Sequence, residues 1–274
     1  MTVITMTREM GSLGKDVAAG LATSMGIEVV HRELVEYDLA ERMALPESDV
    51  HRFLEGSPSL LARWKVGGER LARCTAEEIV TLASRGELLI RGWGAASVLR
   101  RVPHVLRVRV CAPMALRVRT MQERLGLADE DAVRREIERN DAAHTRAMRG
   151  VAGLDWQNPL GYDIVLNTER VPIEEGVRQV ETLARSAAFE ETPESRRILS
   201  DLLVETRVRA AIADDRGFGL SSGNLDVSVT DGVVSVGGFV PNRQKGDALC
   251  HKLAALPDVS SVENRLLVTQ AYPG

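Results

Sequence analysis

The chain up to about residue 187 alternates short apolar runs with longer stretches whose apolar residues recur at helical spacing. Residues 3–6 form an apolar run, a glycine-containing loop follows, and residues 17–25 have helical spacing that stops at Gly26, which predicts a strand, a loop and a helix. Further strands are predicted over residues 88–90, 105–110 and 162–166, and further helices over 32–61 (several, joined by turns), 69–84, 114–125, 129–148 and 173–187. This alternation predicts an α/β domain over residues 1–188, with a parallel sheet covered by helices on both faces.

A different pattern begins after an acidic, proline-containing segment, residues 189–195, which we interpret as a linker. A helix is predicted over residues 196–213, and residues 225–229 alternate strictly between apolar and polar side chains, as in a half-exposed strand. Asp231-Gly232 joins this run to another alternating run at residues 233–238, which predicts a β-hairpin. With a helix over 242–256 and a strand over 262–268, residues 196–270 are predicted to form a small second α/β module.

Composition narrows the class of protein. The hydrophobic fraction of 44% and the charged fraction of 27% are those of an ordinary globular protein. A net charge of -4 gives no general attraction to nucleic acid, so no nucleic-acid partner is predicted. The three cysteines are far apart and have neither disulfide-framework nor zinc-site spacing, and no signal peptide or spanning segment is apparent, which predicts a cytoplasmic protein.

The loop after the first predicted strand is suited to phosphate binding. Such a loop needs glycines that let backbone N–H groups approach an anion, a helix N-terminus behind them, and a lysine that reaches the phosphates. The predicted phosphate-binding residues are Arg8, Gly11, Ser12, Leu13, Gly14, Lys15 and Asp16. The match to G-x-x-x-x-G-K-[ST] is incomplete because Glu9 replaces the first glycine and Asp16 replaces the hydroxyl residue that holds Mg²⁺. The alternative is a glycine-rich turn without a ligand.

Several ordered motifs resemble the cytidylate kinase-like family of P-loop phosphotransferases. They are T-R-E-M-G-S-L-G-K-D at 7–16, L-L-I-R-G-W-G-A-A at 88–96, D-W at 155–156 and Y-D-I-V-L-N-T at 162–168, and the resemblance runs over about residues 1–187. In that family the loop reads S-R-E-x-G-S-G-G-[RK], so Glu9 and Asp16 are usual there. The resemblance implies a P-loop NTPase-like sheet and transfer of the γ-phosphoryl group of ATP to a nucleoside monophosphate, CMP or dCMP, with Mg²⁺. Asp16 could reach the metal directly or through water.

Phosphoryl transfer of this kind needs arginines around the phosphates besides the loop lysine. Five arginines lie on or beside one predicted helix, at a place that resembles the arginine-rich lid of nucleoside monophosphate kinases: Arg134, Arg135, Arg139, Arg146 and Arg149. The predicted catalytic residues are Lys15, Arg135, Arg139 and Arg146. The alternative is a solvated helix face whose arginines are neutralised by neighbouring acidic residues.

The acceptor side departs from the family pattern. The predicted acceptor-binding residues are Arg32, Arg91, Asp141 and His144. His144 stands where relatives carry an arginine, and its charge is weaker and depends on pH. Trp93 replaces the arginine of the family's G-R-G-A motif, and either Trp93 or Trp156 could stack on a base, although tryptophan more often packs in a core.

The C-terminal module resembles a BON domain. The motifs are V-S-V-T-D-G-V-V-S-V-G-G at 227–238 and P-D-V-S-S-V-E-N at 257–264. The resemblance implies binding to phospholipid, membranes or other proteins rather than catalysis, and the alternative is a structural appendage or a dimerisation piece. An exposed edge strand in so small a sheet could pair with a second copy, which predicts a homo-oligomer.

Three functional hypotheses follow. The first is an ATP-dependent nucleoside monophosphate kinase with a C-terminal interaction module. The second is a non-catalytic nucleotide-binding regulator that acts through the BON-like module. The third is a kinase whose acceptor is not a nucleotide, because many small-molecule kinases share the loop.

Overall fold

The computed structural model describes residues 2–30, 65–92, 94–152, 155–214 and 225–268. The helices predicted over 32–61, together with Arg32 and Trp93, lie outside the described residues. The chain divides into two compact units, Met1–Thr192 and Pro193–Gly274, and the boundary lies inside the segment predicted as a linker.

The N-terminal unit contains a five-stranded parallel sheet. Its strands are β1 (Val3–Arg8), β2 (Glu28–Val30), β3 (Leu88–Arg91), β4 (Val105–Cys111) and β5 (Ile164–Asn167). Its helices are α1 (Gly14–Met25), α2 (Lys65–Arg85), α3 (Ala95–Val98), α4 (Met114–Leu125), α5 (Glu130–Ala152) and α6 (Ile173–Ala184). The strand order is β2-β3-β1-β4-β5, so β1, the first strand in the sequence, is central. The predicted α/β fold class is confirmed, and β2 is a strand that the sequence pattern did not predict.

The two faces of this sheet differ in polarity. One face buries apolar residues of β1, β3, β4 and β5 against α1 and α6. The opposite face of β1 and β4 carries Thr5 beside Arg107 and Thr7 beside Arg109 in the strand register. Three of these four residues are buried, with Thr5 inaccessible, so the sheet holds polar groups in its interior next to the loop that follows β1.

The C-terminal unit packs two helices on a three-stranded sheet. Its elements are α7 (Pro193–Asp214), β6 (Leu225–Thr230), β7 (Val233–Val240), α8 (Arg243–Ala254) and β8 (Ser261–Val268). β6 and β7 form the predicted hairpin, and β8 joins β7 in parallel after the α8 crossover. Alternate residues of β6 are buried against α7 and α8, as the strict alternation predicts. α7 begins at Pro193, three residues before the predicted start of this helix, because proline is tolerated in a first helical turn.

The side chain of Asp201, in α7, holds the hairpin turn. Its two carboxylate oxygens accept hydrogen bonds from the backbone N–H groups of Asp231, at 3.0 Å, and Gly232, at 2.9 Å. Asp231 and Gly232 both have positive φ, 52° and 71°, which is the backbone of a tight two-residue hairpin turn. In neither unit does a described helix have the length and apolar content that a membrane span requires.

Candidate functional site

The loop between β1 and α1 is folded tightly at the carboxyl edge of the sheet. Gly11 and Leu13 both have left-handed backbone conformations, with φ of 77° and 60°. The Ser12 hydroxyl donates to the carbonyl oxygens of Glu9, at 2.8 Å, and Val110, at 3.2 Å, so it ties the loop to β4. Gly14 then starts α1, whose N-terminus points its dipole at the loop.

The first turn of α1 carries the residues with predicted roles in phosphate and metal binding. The side chain of Lys15 is exposed. Asp16 forms an ion pair with Arg124, from the last turn of α4. An exposed lysine at a helix N-terminus that follows a tight glycine loop is an arrangement that binds phosphate.

A buried carboxylate supports the loop from beneath. Glu9 is 9% exposed, and its Oε1 accepts a hydrogen bond from the Arg109 guanidinium at 2.7 Å. Its Oε2 accepts from the backbone N–H of Ala112 at 3.2 Å and lies 3.7 Å from the guanidinium of Arg117. Glu9 therefore joins the loop to β4 and α4, which explains a glutamate where the general phosphate-loop pattern has glycine.

Arg117 joins the loop to two helices. It is 4% exposed, its Nε donates to the carbonyl oxygen of Met10 at 2.7 Å, and its two terminal nitrogens donate to the two carboxylate oxygens of Asp141 at 2.8 and 2.7 Å. The backbone of Arg117 also touches the loop, because a Cβ added to Gly11 would lie 2.5 Å from the Arg117 carbonyl oxygen. A side chain at Gly11 is therefore disfavoured by both conformation and space.

The turn after β5 contacts the loop from the other side. Thr168 donates its hydroxyl to the carbonyl oxygen of Ser12 at 2.9 Å, and its backbone N–H donates to the carbonyl oxygen of Cys111 at 3.1 Å. The Y-D-I-V-L-N-T segment therefore ends in contact with the phosphate loop.

Burial raises the pKa of the Cys111 thiol, and the nearby Glu9 carboxylate raises it further, so this cysteine is held protonated rather than as a nucleophilic thiolate.

Trp156 packs in the interior of the unit. It is 4% exposed, and its indole N–H donates to the Thr145 hydroxyl at 2.9 Å. The ring of His144 stacks on it with centroids 4.3 Å apart, and the Arg109 guanidinium lies 5.4 Å from its centroid. Of the two uses left open for Trp156, the structure supports core packing, and it places His144 against this core residue.

A cavity of about 240 Å³ lies beside Trp156, between α3 and the segment before β5. Arg107 is one of its lining residues, but the guanidinium is already paired with Asp163 through hydrogen bonds of 3.1 and 2.7 Å. The charge of Arg107 is therefore matched within the protein by Asp163.

The sequence model of the cytidylate kinase-like family matches residues 3–170. The chain belongs to the cytidylate kinase-like family. The model of the BON domain matches residues 200–270, so both resemblances drawn from the sequence are confirmed. Membership in this family supports a nucleotide kinase activity for the N-terminal unit without specifying its acceptor.

Named relatives and solved structures agree with this membership. Two proteins named cytidylate kinase, from Pyrobaculum aerophilum and Pyrobaculum neutrophilum, are each 25% identical over 178 residues, covering 65% of this chain and 90% of theirs. The crystal structure of an uncharacterised protein from Eubacterium ventriosum has a TM-score of 0.54 and 18% identity, and the match covers 68% of this chain and 99% of that one. At this identity the last similarity concerns the fold alone.

In this cytidylate kinase-like chain, three of the five predicted lid arginines lie on the surface of α5. Arg135, Arg139 and Arg146 are all exposed, and their spacing puts them on one stripe of the helix. Arg139 pairs with Glu136 at 3.1 Å, as the alternative of a neutralised helix face predicts. The structure therefore does not bring these arginines together with the loop, and their catalytic role stays a prediction.

The structure describes three of the four predicted acceptor residues. Arg91 ends β3 beside Met6 of β1, and Arg32 lies outside the described residues. Asp141 is bound to Arg117 and His144 is stacked on Trp156, so both are engaged within the protein.

Three arginines of the site were missed by sequence reasoning: Arg109, Arg117 and Arg124. A signal existed for two of them. Arg109 lies within an apolar strand, and Arg117 shares a helix face with Met114, Val118 and Met121, so each is a charged residue at a position where burial is expected. For Arg124, at the exposed end of its helix, the sequence carried no such signal.

The metal implied by the family can be tested against the donor groups near the loop. Among the described residues, no group of three or more histidine, cysteine or acidic side chains could hold a metal ion. The Ser12 hydroxyl is used by two carbonyl oxygens, which leaves Asp16 as the one side chain of the loop suited to Mg²⁺. Because Mg²⁺ is commonly held by one or two carboxylates with substrate phosphates and water, this donor set fits the ion.

Proposed function

We propose that the N-terminal unit transfers the γ-phosphoryl group of ATP to a nucleoside monophosphate of the CMP or dCMP type, and that the C-terminal unit is an interaction module. The observation that carries the proposal is the tightly folded loop with exposed Lys15 at the start of α1, on the central strand of the sheet. Family membership and the relatives named cytidylate kinase support the choice of acceptor class.

The donor phosphates bind the backbone N–H groups of the loop, and Lys15 contacts their terminal oxygens. The loop is held by the carbonyl contacts of Ser12 and by Glu9, so little reorganisation is needed when the phosphates arrive. The attacking group is a phosphate oxygen of the acceptor, which is already negatively charged and needs no general base.

Charge that develops on the transferred group must be neutralised. We assign this neutralisation to Arg135, Arg139 and Arg146, which reach the transferred group only if the part of α5 that carries them moves. Asp141 of the same helix is bound to Arg117, so this movement has to leave that ion pair in place. The i,i+3 pair of Arg139 with Glu136 does not oppose this movement strongly, because both side chains are more than half exposed and such pairs are weak.

Asp16 would hold Mg²⁺ in the presence of ATP. The ion would neutralise phosphate charge, and it would replace Arg124 as the partner of this carboxylate. Release of Arg124, in the last turn of α4, would free its guanidinium to bind a donor phosphate.

On the acceptor side we assign Arg32, Arg91, Asp141 and His144. A carboxylate has about four lone-pair positions, and Arg117 uses two of those of Asp141. The remaining positions can accept hydrogen bonds from sugar hydroxyls while the ion pair persists.

A second function is favoured by the same contacts. If His144 stays stacked on Trp156, the acceptor pocket lacks the cation at the place where relatives carry an arginine. The unit would then bind nucleotide without turnover and act as a regulator through the C-terminal module.

The discriminating experiment is an ADP-release assay with ATP, Mg²⁺ and a panel of nucleoside monophosphates. We expect turnover with CMP or dCMP, reduced about a hundredfold or more by Lys15→Ala because one preorganised cation at the transferred group is lost. Lys245→Ala, a lysine of the other unit, is the matched control and should leave the rate unchanged. Nucleotide binding that depends on Lys15, without turnover on any acceptor, would contradict the kinase and support the regulator.

For the C-terminal unit we propose a protein or phospholipid partner, or a second copy of the chain. Phe239 and Leu267 face each other across β7 and β8 and are 54% and 60% exposed, which makes an apolar contact point on the outer face of this sheet. Light scattering and vesicle sedimentation should both be compared with Phe239→Ser. A change in neither would refute this contact point.

A further inference from the structure

Four charged side chains lie together beneath the phosphate loop: Glu9, Arg109, Arg117 and Asp141. Two are carboxylates and two are guanidinium groups, so their formal charges cancel. A cluster without net charge has little attraction for a phosphate. Its function therefore follows from the groups that it contacts rather than from electrostatic attraction of a ligand.

The contacts of Arg117 are directed at the loop and at α5. One edge of its guanidinium binds the carbonyl oxygen of Met10 at 2.7 Å, and the terminal nitrogens bind the Asp141 carboxylate at 2.7 and 2.8 Å. The planar guanidinium serves these two partners at once, which a lysine ammonium on its flexible stem cannot do. With 4% of Arg117 exposed, water cannot replace a contact that is lost.

The loop conformation depends on this support. Gly11 lies against the backbone of Arg117, and the peptide that precedes it is fixed by the bond from Arg117 to Met10. The left-handed conformations of Gly11 and Leu13 follow directly in the chain. A shift of Arg117 would therefore move the segment that presents its N–H groups to phosphates.

We propose that Arg117 is a positioning residue of the phosphate loop, which it holds in the phosphate-binding conformation, and that Asp141 fixes the Arg117 guanidinium for this role. The inference rests on the proposed function only in taking the donor's phosphates as the loop's ligand. It gives Asp141 a role on the donor side that is independent of any contact with the acceptor.

The test uses the full chain with Arg117→Lys, which keeps the charge and removes the planar fork, and Asp141→Asn, which weakens one partner. Arg119→Lys is the matched control, because Arg119 is an exposed arginine on the same helix. Two quantities are measured for each: hydrogen exchange of the peptide that contains residues 9–17 without ligand, and the Kd of a fluorescent ATP analogue.

We expect Arg117→Lys to speed exchange of the loop peptide and to raise the Kd about tenfold to a hundredfold, because a displaced loop loses one of its hydrogen bonds to the charged phosphates. Asp141→Asn should change both in the same direction, less strongly, and Arg119→Lys should change neither. A purely structural role would lower the melting temperature while the folded protein kept the wild-type Kd and loop exchange, and that result would overturn the proposal. If Arg117→Lys does not fold, Asp141→Asn decides on the same two readouts.

Failure of the two proposals can be told apart. If the wild-type protein does not bind the analogue but Arg117→Lys still speeds exchange of the loop peptide, the proposed function is refuted and the positioning role is supported. Normal binding by the wild type, with Kd and loop exchange unchanged in both variants, would refute the positioning role alone.

Discussion

Gly11→Ala is expected to damage the phosphate loop more than an alanine at another glycine with the same backbone conformation. An added Cβ at Gly11, with φ +77°, would lie 2.5 Å from the carbonyl oxygen and 2.9 Å from the Cα of Arg117. Gly126, which ends α4 with φ +65°, has nothing within 4 Å of the same added atom. The two variants therefore share a conformational cost and differ in one close contact.

The magnitudes follow from these two terms. A left-handed alanine costs about 1 to 2 kcal/mol, and the stiffer unfolded chain returns about 0.4 to 1 kcal/mol, so Gly126→Ala should lose about 1 kcal/mol of unfolding free energy. Overpacking against backbone that cannot move away adds about 1 to 3 kcal/mol, so Gly11→Ala should lose about 2 to 4 kcal/mol. For a unit of this size each kcal/mol lowers the melting temperature by about 2 to 4 °C.

Intrinsic tryptophan fluorescence is the suitable probe of unfolding. All three tryptophans precede the unit boundary at Thr192, so the signal reports the N-terminal unit alone. Binding of a fluorescent ATP analogue should also weaken in Gly11→Ala and stay unchanged in Gly126→Ala. Equal losses of stability in the two variants would refute the close approach between the loop and α4.

Three further predictions concern other contacts. Thr168→Val removes the hydrogen bond from the hydroxyl to the Ser12 carbonyl oxygen and should lower the free energy of unfolding, measured by tryptophan fluorescence, by about 1 kcal/mol. Thr168→Ser keeps the hydroxyl and should keep most of the wild-type stability. Asp201→Asn replaces one of two acceptor oxygens with a donor, so amide exchange at Gly232 should accelerate, and unchanged protection would contradict the contact. Burial raises the pKa of Cys111, so less thiolate is present at pH 8 than in the unfolded chain. Iodoacetamide should therefore label the Cys111 peptide more slowly in the native protein than in the unfolded chain. Equal rates would show that the thiol is accessible and that its pKa is not raised.

The sequence predicted those parts of the fold that are determined locally. The phosphate loop was recognisable because its glycines, its lysine and the flanking strand and helix are adjacent in the chain, and the hairpin because Asp231-Gly232 stands between two alternating runs. β2 was missed because its three residues are too few to show a period. The start of α7 was placed late because a proline was interpreted as part of a linker.

The support beneath the loop could not be predicted in the same way. The bond from Glu9 to Arg109 spans 100 residues, and that from Arg117 to Asp141 spans 24. Local pattern indicates that a charged residue lies on an apolar face, but it does not identify the partner across the fold. Likewise, the spacing of the α5 arginines put them on one stripe without showing whether that stripe faces solvent.

The central position of β1 has a consequence for synthesis. β1 and the phosphate loop leave the ribosome before the rest of this unit, yet β1 pairs with β3 and β4, and the loop contacts residues as far along the chain as Thr168. Because a domain generally folds as a unit once its contacts are available, the nascent loop has to wait unsupported until most of this unit has been made. A stalled or truncated chain that ends before β5 would expose the part of this unit that was made first, so chaperones and proteases should act on β1 before the later strands.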